Sequence, residues 1–154
     1  MNRNLRLLHR QLGCTLLLLL TAIGAFAADV PSSVLIQPGA LAKTLQSGSA
    51  ERPIIIQVGF QKLFQQAHIP GSEYIGPGTD SEGEQKLRKR VSSVPKDKTI
   101  VLYCGCCPWA HCPNVRPAYE TLHALGFRKV KVLYIAQNFG DDWVSKSYPT
   151  EKGE

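Results

Sequence analysis

The stretch that decides the fold is TIVLYCGCCPWAHCPNVRP, residues 99–117. It begins with a short apolar run, Ile100 to Tyr103, which is typical of a buried strand in a parallel sheet. Near its end, Asn114 can cap a helix, and Pro117 would lack its N–H at the third helical residue, where no hydrogen bond is lost. The sequence therefore predicts a strand, a loop over residues 105–113 and a helix.

This loop carries an unusual density of reactive side chains. It is longer than the roughly 2–6 residues that usually connect a strand and a helix in such units. Open α/β sheets place their chemistry at the carboxyl ends of parallel strands. We therefore predict an active site with Cys104 as its catalytic residue. The loop residues expected around it are Gly105, Cys106, Cys107, Trp109, His111, Cys112, Asn114 and Arg116.

The first 27 residues have the pattern of a secretory signal peptide. Arg3, Arg6 and Arg10 precede an apolar run over residues 14–23, and Ala-Phe-Ala ends at Ala27. A retained membrane anchor is disfavoured because the apolar run is shorter than about 20 residues. We therefore predict cleavage after Ala27 and a periplasmic or secreted protein with no stable membrane insertion.

Cleavage would leave one domain over residues 28–154. The 154-residue chain without its first 27 residues has 127, enough for a single core. The leader also holds three arginines, so the formal net charge falls from +6 to +3. Because so much of the basicity belongs to the leader, nucleic-acid binding is not predicted.

Strands and helices alternate along the predicted domain. We expect strands at residues 34–36, 54–58, 100–103 and 129–135, and helices at residues 40–45, 61–66, 81–91 and 114–125. Ser81 and Glu84 form the pattern of a capping box at the start of the third helix. This alternation predicts an α/β fold with a mostly parallel central sheet and helices on both faces. The order of the strands does not follow from the pattern.

Four segments, taken together and in order, resemble the rhodanese-like family. They are Ala67-His68-Ile69-Pro70-Gly71-Ser72, Val101-Leu102-Tyr103-Cys104, Gly126-Phe127 followed by Val130, and Trp143 followed by Tyr148-Pro149. The resemblance extends over nearly all of the predicted mature chain. It implies a rhodanese-like fold, a sulfurtransferase activity and a persulfide-carrying nucleophile at Cys104.

The chemistry of Cys104 also has a physical reason. A thiol at a strand end that faces a helix N-terminus and loop N–H groups has its thiolate favoured. A persulfide anion would be stabilised in the same way. By the resemblance, Cys104 would take a sulfane sulfur from a small sulfur compound or a partner protein thiol and pass it to a thiophilic acceptor. No cofactor is required for this reaction.

The chain departs from the family pattern around the predicted site. Family loops have four residues between the cysteine and an arginine. Counted back from Gly126, the arginine position is Asn114, and the loop is five residues longer, with Arg116 nearby. The family Asp-Val-Arg is replaced by Gln57-Val58-Gly59, and a glycine pair by Asn138-Phe139. The sulfur donor and the acceptor, and activity on thiosulfate, therefore stay open.

The three further loop cysteines have three interpretations. A disulfide, Cys107 to Cys112 or Cys106 to Cys112, would suit an oxidising compartment. Thiol exchange with Cys104 could resolve a persulfide or a mixed disulfide. A soft metal site for copper or zinc could use Cys106, Cys107, Cys112 and His111. The metal ranks third because the cysteine spacing is not a standard zinc pattern.

These interpretations define an alternative function. The domain could be a non-catalytic rhodanese-fold module whose loop binds a soft metal or exchanges thiols with a redox partner. An arsenate or phosphate-ester enzyme is disfavoured because no arginine lies within residues 105–114 to hold an oxyanion.

Several conspicuous residues have ordinary structural interpretations. We expect His68 to hold the turn around Pro70, Trp143 to serve packing and Asn114 to cap the helix near the nucleophile. Trp109 could be a lid or docking residue, or it could close a small core within the loop.

Overall fold

The structure, a computed structural model, describes residues 30–48 and 51–153. The predicted signal peptide, its cleavage after Ala27 and the domain start at Ala28 lie outside the described residues. Within the described ranges, no helix has the length and apolar character needed to span a bilayer.

A parallel sheet forms the centre of the described domain. Its five strands are β1 (Leu35–Ile36), β2 (Ile54–Gln57), β3 (Glu73–Tyr74), β4 (Ile100–Tyr103) and β5 (Val130–Leu133). They lie in the order β1-β5-β4-β2-β3, and each neighbouring pair is parallel. Because β4 lies in the middle and Gln57 pairs with Tyr103, the carboxyl ends of β2 and β4 meet at one edge.

Helices cover both faces of the sheet, as the sequence predicts. They are α1 (Pro38–Gln46), α2 (Gln61–Gln66), α3 (Ser81–Arg90), α4 (Val115–Ala124) and α5 (Phe139–Asp142). Successive side chains of β4 point to opposite faces. Ile100 and Leu102 pack in one core with α3 and α4, whereas Val101 and Tyr103 pack in a second core with α1 and α5. All four side chains of β4 are therefore buried.

The predicted capping box of α3 is wrong by one residue. Asp80 occupies the N-cap position, without a side-chain cap bond, and Ser81 is already the first helical residue. Glu84 is then one position too far along the helix to reach back to the cap. Its carboxylate instead accepts hydrogen bonds from Arg88, at 2.9 Å from Nε and 2.7 Å from Nη2.

Trp143 has the packing role predicted for it, whereas the His68 ring is attached to α2 instead of the turn around Pro70. The His68 ring stacks on Phe64 with centroids 3.9 Å apart, and its Nδ1 donates to the Phe64 carbonyl at 2.8 Å. Trp143 is fully buried, stacks on Phe139 and donates from Nε1 to the Pro149 carbonyl at 2.8 Å. Both side chains anchor segments that flank the predicted site.

Replacing Trp143 tests this anchoring. We expect Trp143→Phe to lower the free energy of unfolding by about 2 kcal/mol, because the Pro149 carbonyl loses its donor and the core loses volume. Chemical denaturation measures the change. Val144→Ala, at an exposed neighbour, should change stability by less than about 0.5 kcal/mol. Equal losses in the two variants would contradict the anchoring role.

Candidate active site

Gly105 turns the chain sharply after β4. Its φ of 76° lies in the left-handed region that favours glycine. A Cβ at this position would lie 2.7 Å from the Cβ of Phe139, and the Phe139 N–H donates to the Gly105 carbonyl at 3.0 Å. The glycine therefore permits both the turn and the close approach of the C-terminal segment.

Cys104 lies immediately before this turn, in the wall of a cavity. The residue is 3% exposed. Its Sγ lies 3.1 Å from the Sγ of Cys106, and it accepts hydrogen bonds from the Cys106 N–H and from Asn114 Nδ2, the latter at 3.6 Å. The cavity, of about 430 Å³, is lined by residues that include Gln57, Leu63, Ala67, Tyr103, Gly105, Cys106, Asn138, Phe139 and Val144. A small sulfur compound could reach the thiol here.

Asn114 occupies the predicted N-cap position of α4, but its side chain has a different role from capping. The side chain makes no cap hydrogen bond. Its Oδ1 instead accepts hydrogen bonds from Thr79, at 3.0 Å from Oγ1 and 3.4 Å from the backbone N–H. This leaves Nδ2 directed at the Cys104 sulfur. The side chain is thus a bridge that holds an N–H donor at the predicted nucleophile.

Three of the four loop sulfurs converge. The Sγ atoms of Cys104, Cys106 and Cys112 lie within 4.8 Å of one another. Cys107 Sγ is 3.2 Å from that of Cys106 and donates to the His111 carbonyl at 3.6 Å. The predicted metal-ligand set therefore differs from the observed group, which contains Cys104 and leaves out Cys107 and His111.

The loop backbone explains this difference. Residues Trp109–His111 form a short 3-10 turn that leaves the His111 side chain exposed, away from the sulfurs. The four cysteines are free thiols in this structure. The disulfides Cys107 to Cys112 and Cys106 to Cys112 stay predictions.

The thiolate is favoured at a different cysteine from the one expected. The Cys104 thiol donates to Cys112, and the backbone N–H groups of Asn114 and Val115 add to this, so the pKa of Cys112 falls to about 6. The pKa of Cys104 is raised, first by its hydrogen bond to Cys112 and then by burial. The expectation for Cys104 is wrong because the longer loop puts a second cysteine at the start of α4, where the helix dipole favours an anion.

Trp109 anchors the loop. The centroid of its ring lies 5.4 Å from that of Tyr134, and its backbone N–H donates to the Ala136 carbonyl at 3.2 Å. It also packs against the core formed by α3, α4 and the sheet. Of the two interpretations, the structure favours packing over a lid.

Arg116 is not among the described residues that line the Cys104 cavity. It pairs with Glu120 at 2.9 Å and lines a second cavity, of about 780 Å³, together with Trp109 and Cys112. The described lining residues of the Cys104 cavity include neither lysine nor arginine. Arg116 therefore does not take the place of the family arginine in that cavity.

The sequence analysis missed the part that Gln57 plays in the site. This residue is 2% exposed, and its Nε2 donates to the Cys104 carbonyl at 3.3 Å while its Oε1 accepts from the Gly59 N–H at 3.1 Å. The sequence signal for this role was the position of Gln57, a polar residue at the end of an apolar strand. Gly59 matters too, because a Cβ there would lie 3.0 Å from the Cys104 sulfur.

A family model described as "Rhodanese-like domain" matches residues 37–134. The chain belongs to the rhodanese-like family. The predicted family is therefore confirmed, and the match includes β2 to β5, the cysteine loop and α4. No curated protein matches the chain.

Solved structures confirm the rhodanese-like fold. The BH2092 protein of Bacillus halodurans is 21% identical with a TM-score of 0.60, over 78% of this chain and 77% of that one. The Alr3790 protein of Anabaena sp. is 21% identical with a TM-score of 0.58, over 76% and 82%. A thiosulfate sulfurtransferase of Pseudomonas aeruginosa is 23% identical with a TM-score of 0.57, over 78% of this chain and 19% of that one. At these identities the likeness shows the fold alone.

Gly105 and Gly71 offer a matched pair for testing the turn. Both have positive φ, 76° and 73°, but a Cβ at Gly71 meets nothing within 4 Å. Each alanine variant should lose about 1–2 kcal/mol from backbone strain. Gly105→Ala should lose about 1–3 kcal/mol more, from its collision with Phe139.

Chemical denaturation measures both losses, and alkylation of Cys104 followed by peptide mapping reports on the site. We expect faster alkylation of Cys104 in Gly105→Ala because the displaced loop exposes the thiol. Equal stability losses and unchanged alkylation in both variants would contradict this account.

Proposed function

We propose that this rhodanese-like protein is a sulfurtransferase or persulfide carrier in which Cys104 takes up and passes on a sulfane sulfur. The observation that carries the proposal is the position of the Cys104 sulfur, in a cavity wall at the carboxyl end of the central strand, with N–H donors from Cys106 and Asn114. Those donors support an anionic sulfur. Family membership supports the same chemistry.

The first step forms the persulfide. The Cys104 thiol passes its proton to the Cys112 thiolate, to which it already donates a hydrogen bond. The Cys104 thiolate then attacks the outer sulfur of a donor persulfide, R–S–SH. The donor S–S bond breaks, Cys104 becomes Cys104–S–SH, and the donor leaves as the thiolate R–S⁻.

The second step returns the enzyme to its starting state. An acceptor thiolate attacks the outer sulfur of Cys104–S–SH, which forms the acceptor persulfide and releases the Cys104 thiolate. Over the two steps a donor persulfide and an acceptor thiolate are consumed, and a donor thiolate and an acceptor persulfide are formed, so no external oxidant or reductant is needed. The cluster sulfurs next to Cys104 can then return the proton.

The charge of the cavity favours a persulfide donor over thiosulfate. A dianionic oxyanion is best held by a bidentate cation such as arginine. The described lining of the Cys104 cavity has no lysine or arginine, and the side chains of Leu63 and Val144 at its wall are exposed and apolar. We infer that the donor or acceptor is a small organic persulfide or thiol, or the thiol of a partner protein.

We also place this reaction outside the cytoplasm, in the periplasm or as a secreted activity. The proposal rests on the signal-peptide pattern of residues 1–27. Exported proteins encounter oxidising conditions, in which neighbouring thiols form disulfides.

Thiol–disulfide exchange with a redox partner is the second candidate. The observation that favours it is the contact between the Cys104 and Cys106 sulfurs at 3.1 Å, with Cys112 close by. In that case one cluster thiolate would attack a partner disulfide, and a second would resolve the mixed disulfide. The two functions differ in whether sulfane sulfur is carried.

Serine substitutions separate these roles. Cys104→Ser should abolish persulfide formation, because serine cannot carry sulfane sulfur. Cys112→Ser should keep the persulfide but change the rate of its release by about tenfold or more, since the variant removes a neighbouring acid–base group. Cys107→Ser, outside the three converging sulfurs, is the matched comparison and should keep the persulfide with a smaller change of rate than Cys112→Ser.

The measurement is cyanide-releasable sulfur, mapped by mass spectrometry after incubation with an organic persulfide. Persulfide retained in Cys104→Ser would overturn the assignment of the nucleophile. A wild-type protein that carries no sulfane sulfur but reduces a partner disulfide would favour the second candidate.

Asn114 provides a test of the N–H donor. Asn114→Asp keeps an oxygen that can accept from Thr79 but removes the N–H directed at Cys104. Because an oxygen would then face the anionic persulfide, we expect the loading rate to fall by about tenfold or more. Thr79→Val, which loses only the supporting bond, should have a smaller effect. The same persulfide-loading assay measures both variants. An unchanged loading rate in Asn114→Asp would show that the Asn114 side-chain N–H has no direct role in loading.

A further inference from the structure

The cluster of Cys104, Cys106 and Cys112 has the composition of a soft-metal site. Its three sulfurs come from the end of β4, the loop and the start of α4, and they meet within 4.8 Å of one another. We propose that these three cysteines bind one copper(I) ion as a three-thiolate site. The site differs from the set that the sequence predicts, because it uses the nucleophile Cys104.

The spacing of the sulfurs suits a shared ion. Three atoms that are mutually within 4.8 Å lie no more than about 2.8 Å from a common centre, and metal–thiolate bonds measure about 2.3 Å. Side-chain shifts of roughly half an ångström would therefore bring all three into bonding distance. Loop side chains make such adjustments without a change of fold.

The surroundings can stabilise the negative charge of the complex. Binding replaces the thiol protons, so three thiolates and one copper(I) carry a net charge of −2. N–H groups face these sulfurs from several directions: Cys106 and Asn114 Nδ2 donate to Cys104, while the backbone of Asn114 and Val115 donates to Cys112. These donors act as the outer shell of the site.

The ligand set favours copper(I) over zinc. Thiolates select soft ions, and copper(I) is the softer of the two. Zinc sites in proteins are almost always four-coordinate when structural. Among residues 30–48 and 51–153, the group that converges contains three ligand atoms only, with Cys107 and His111 outside it. Cys104 is buried, and Cys106 and Cys112 are half-buried.

This inference does not rest on sulfur transfer, although both use Cys104. A bound copper(I) ion would occupy the sulfur that must attack the donor. We therefore expect preloading with one equivalent of copper(I) to prevent persulfide formation. Metal-free protein would still be loaded, so the two activities can be measured and can fail separately.

The test is a competition under anaerobic conditions. Reduced full-chain protein is titrated with copper(I) in the presence of a chromogenic copper(I) chelator, and native mass spectrometry measures the stoichiometry. We expect one copper(I) per chain. Cys106→Ser and Cys112→Ser should each lower the affinity by more than about 100-fold, because loss of outer-shell partners alone costs 10–100-fold.

Two neighbouring substitutions serve as controls. His111→Ala removes the nearby exposed imidazole and should change the affinity by no more than about twofold. Cys107→Ser removes a thiol that contacts the ligands Cys106 and Cys112 without joining the group, so its loss of affinity should be smaller than that of either ligand variant. Circular dichroism checks that each variant is folded. If either Cys106→Ser or Cys112→Ser does not fold, the other still tests the ligand set.

Three results would overturn the proposal. The first is a wild-type protein that does not compete with the chelator for copper(I). The second is a wild-type protein that retains zinc in preference to copper(I) when both metals are offered. A loss of affinity in Cys107→Ser or His111→Ala equal to that in Cys106→Ser would show that the ligand set is wrong.

Discussion

The turn at Gly105 is the constraint on which the rest of the site depends. Its left-handed backbone redirects the chain at the end of β4, and its carbonyl accepts from Phe139 in α5. The turn brings the Cys106 N–H back onto the Cys104 sulfur and starts the loop that ends at α4. A side chain at this position would push the C-terminal segment away, so the cavity and Cys104, the proposed nucleophile, depend on the same backbone conformation.

The longer loop separates two properties that the sequence predicted for Cys104 alone, which are the position at the end of β4 and a favoured thiolate. Cys104 keeps the position at the strand end, in the cavity, and is buried. Cys112 takes the start of α4, where backbone N–H groups favour a thiolate. The site thus places a buried thiol beside a thiolate, and the hydrogen bond between them shifts the pKa of each in opposite directions. This arrangement suits chemistry in which sulfur exchanges protons, sulfane sulfur or a soft ion.

Neutral amide side chains make the side-chain hydrogen bonds to Cys104 other than those between sulfurs. Gln57 holds the Cys104 carbonyl, and Asn114 connects the Cys104 sulfur to Thr79. Amides can orient an anionic sulfur without the cation that a bound oxyanion needs. These amides, with no lysine or arginine in the described lining of the cavity, support the proposal that it takes organic sulfur compounds in preference to inorganic oxyanions.

The sequence by itself determined the fold class, the family and the cysteine loop, because apolar periodicity, turn residues and the order of short motifs are local signals. The tertiary structure decided the strand order and which groups meet. Gln57 reaches Cys104 across 47 residues, and Asn114 reaches Thr79 across 35. The exclusion of His111 from the sulfur cluster likewise follows from a 3-10 turn packed through Trp109. Such contacts depend on packing between distant segments, which no local pattern in the chain records.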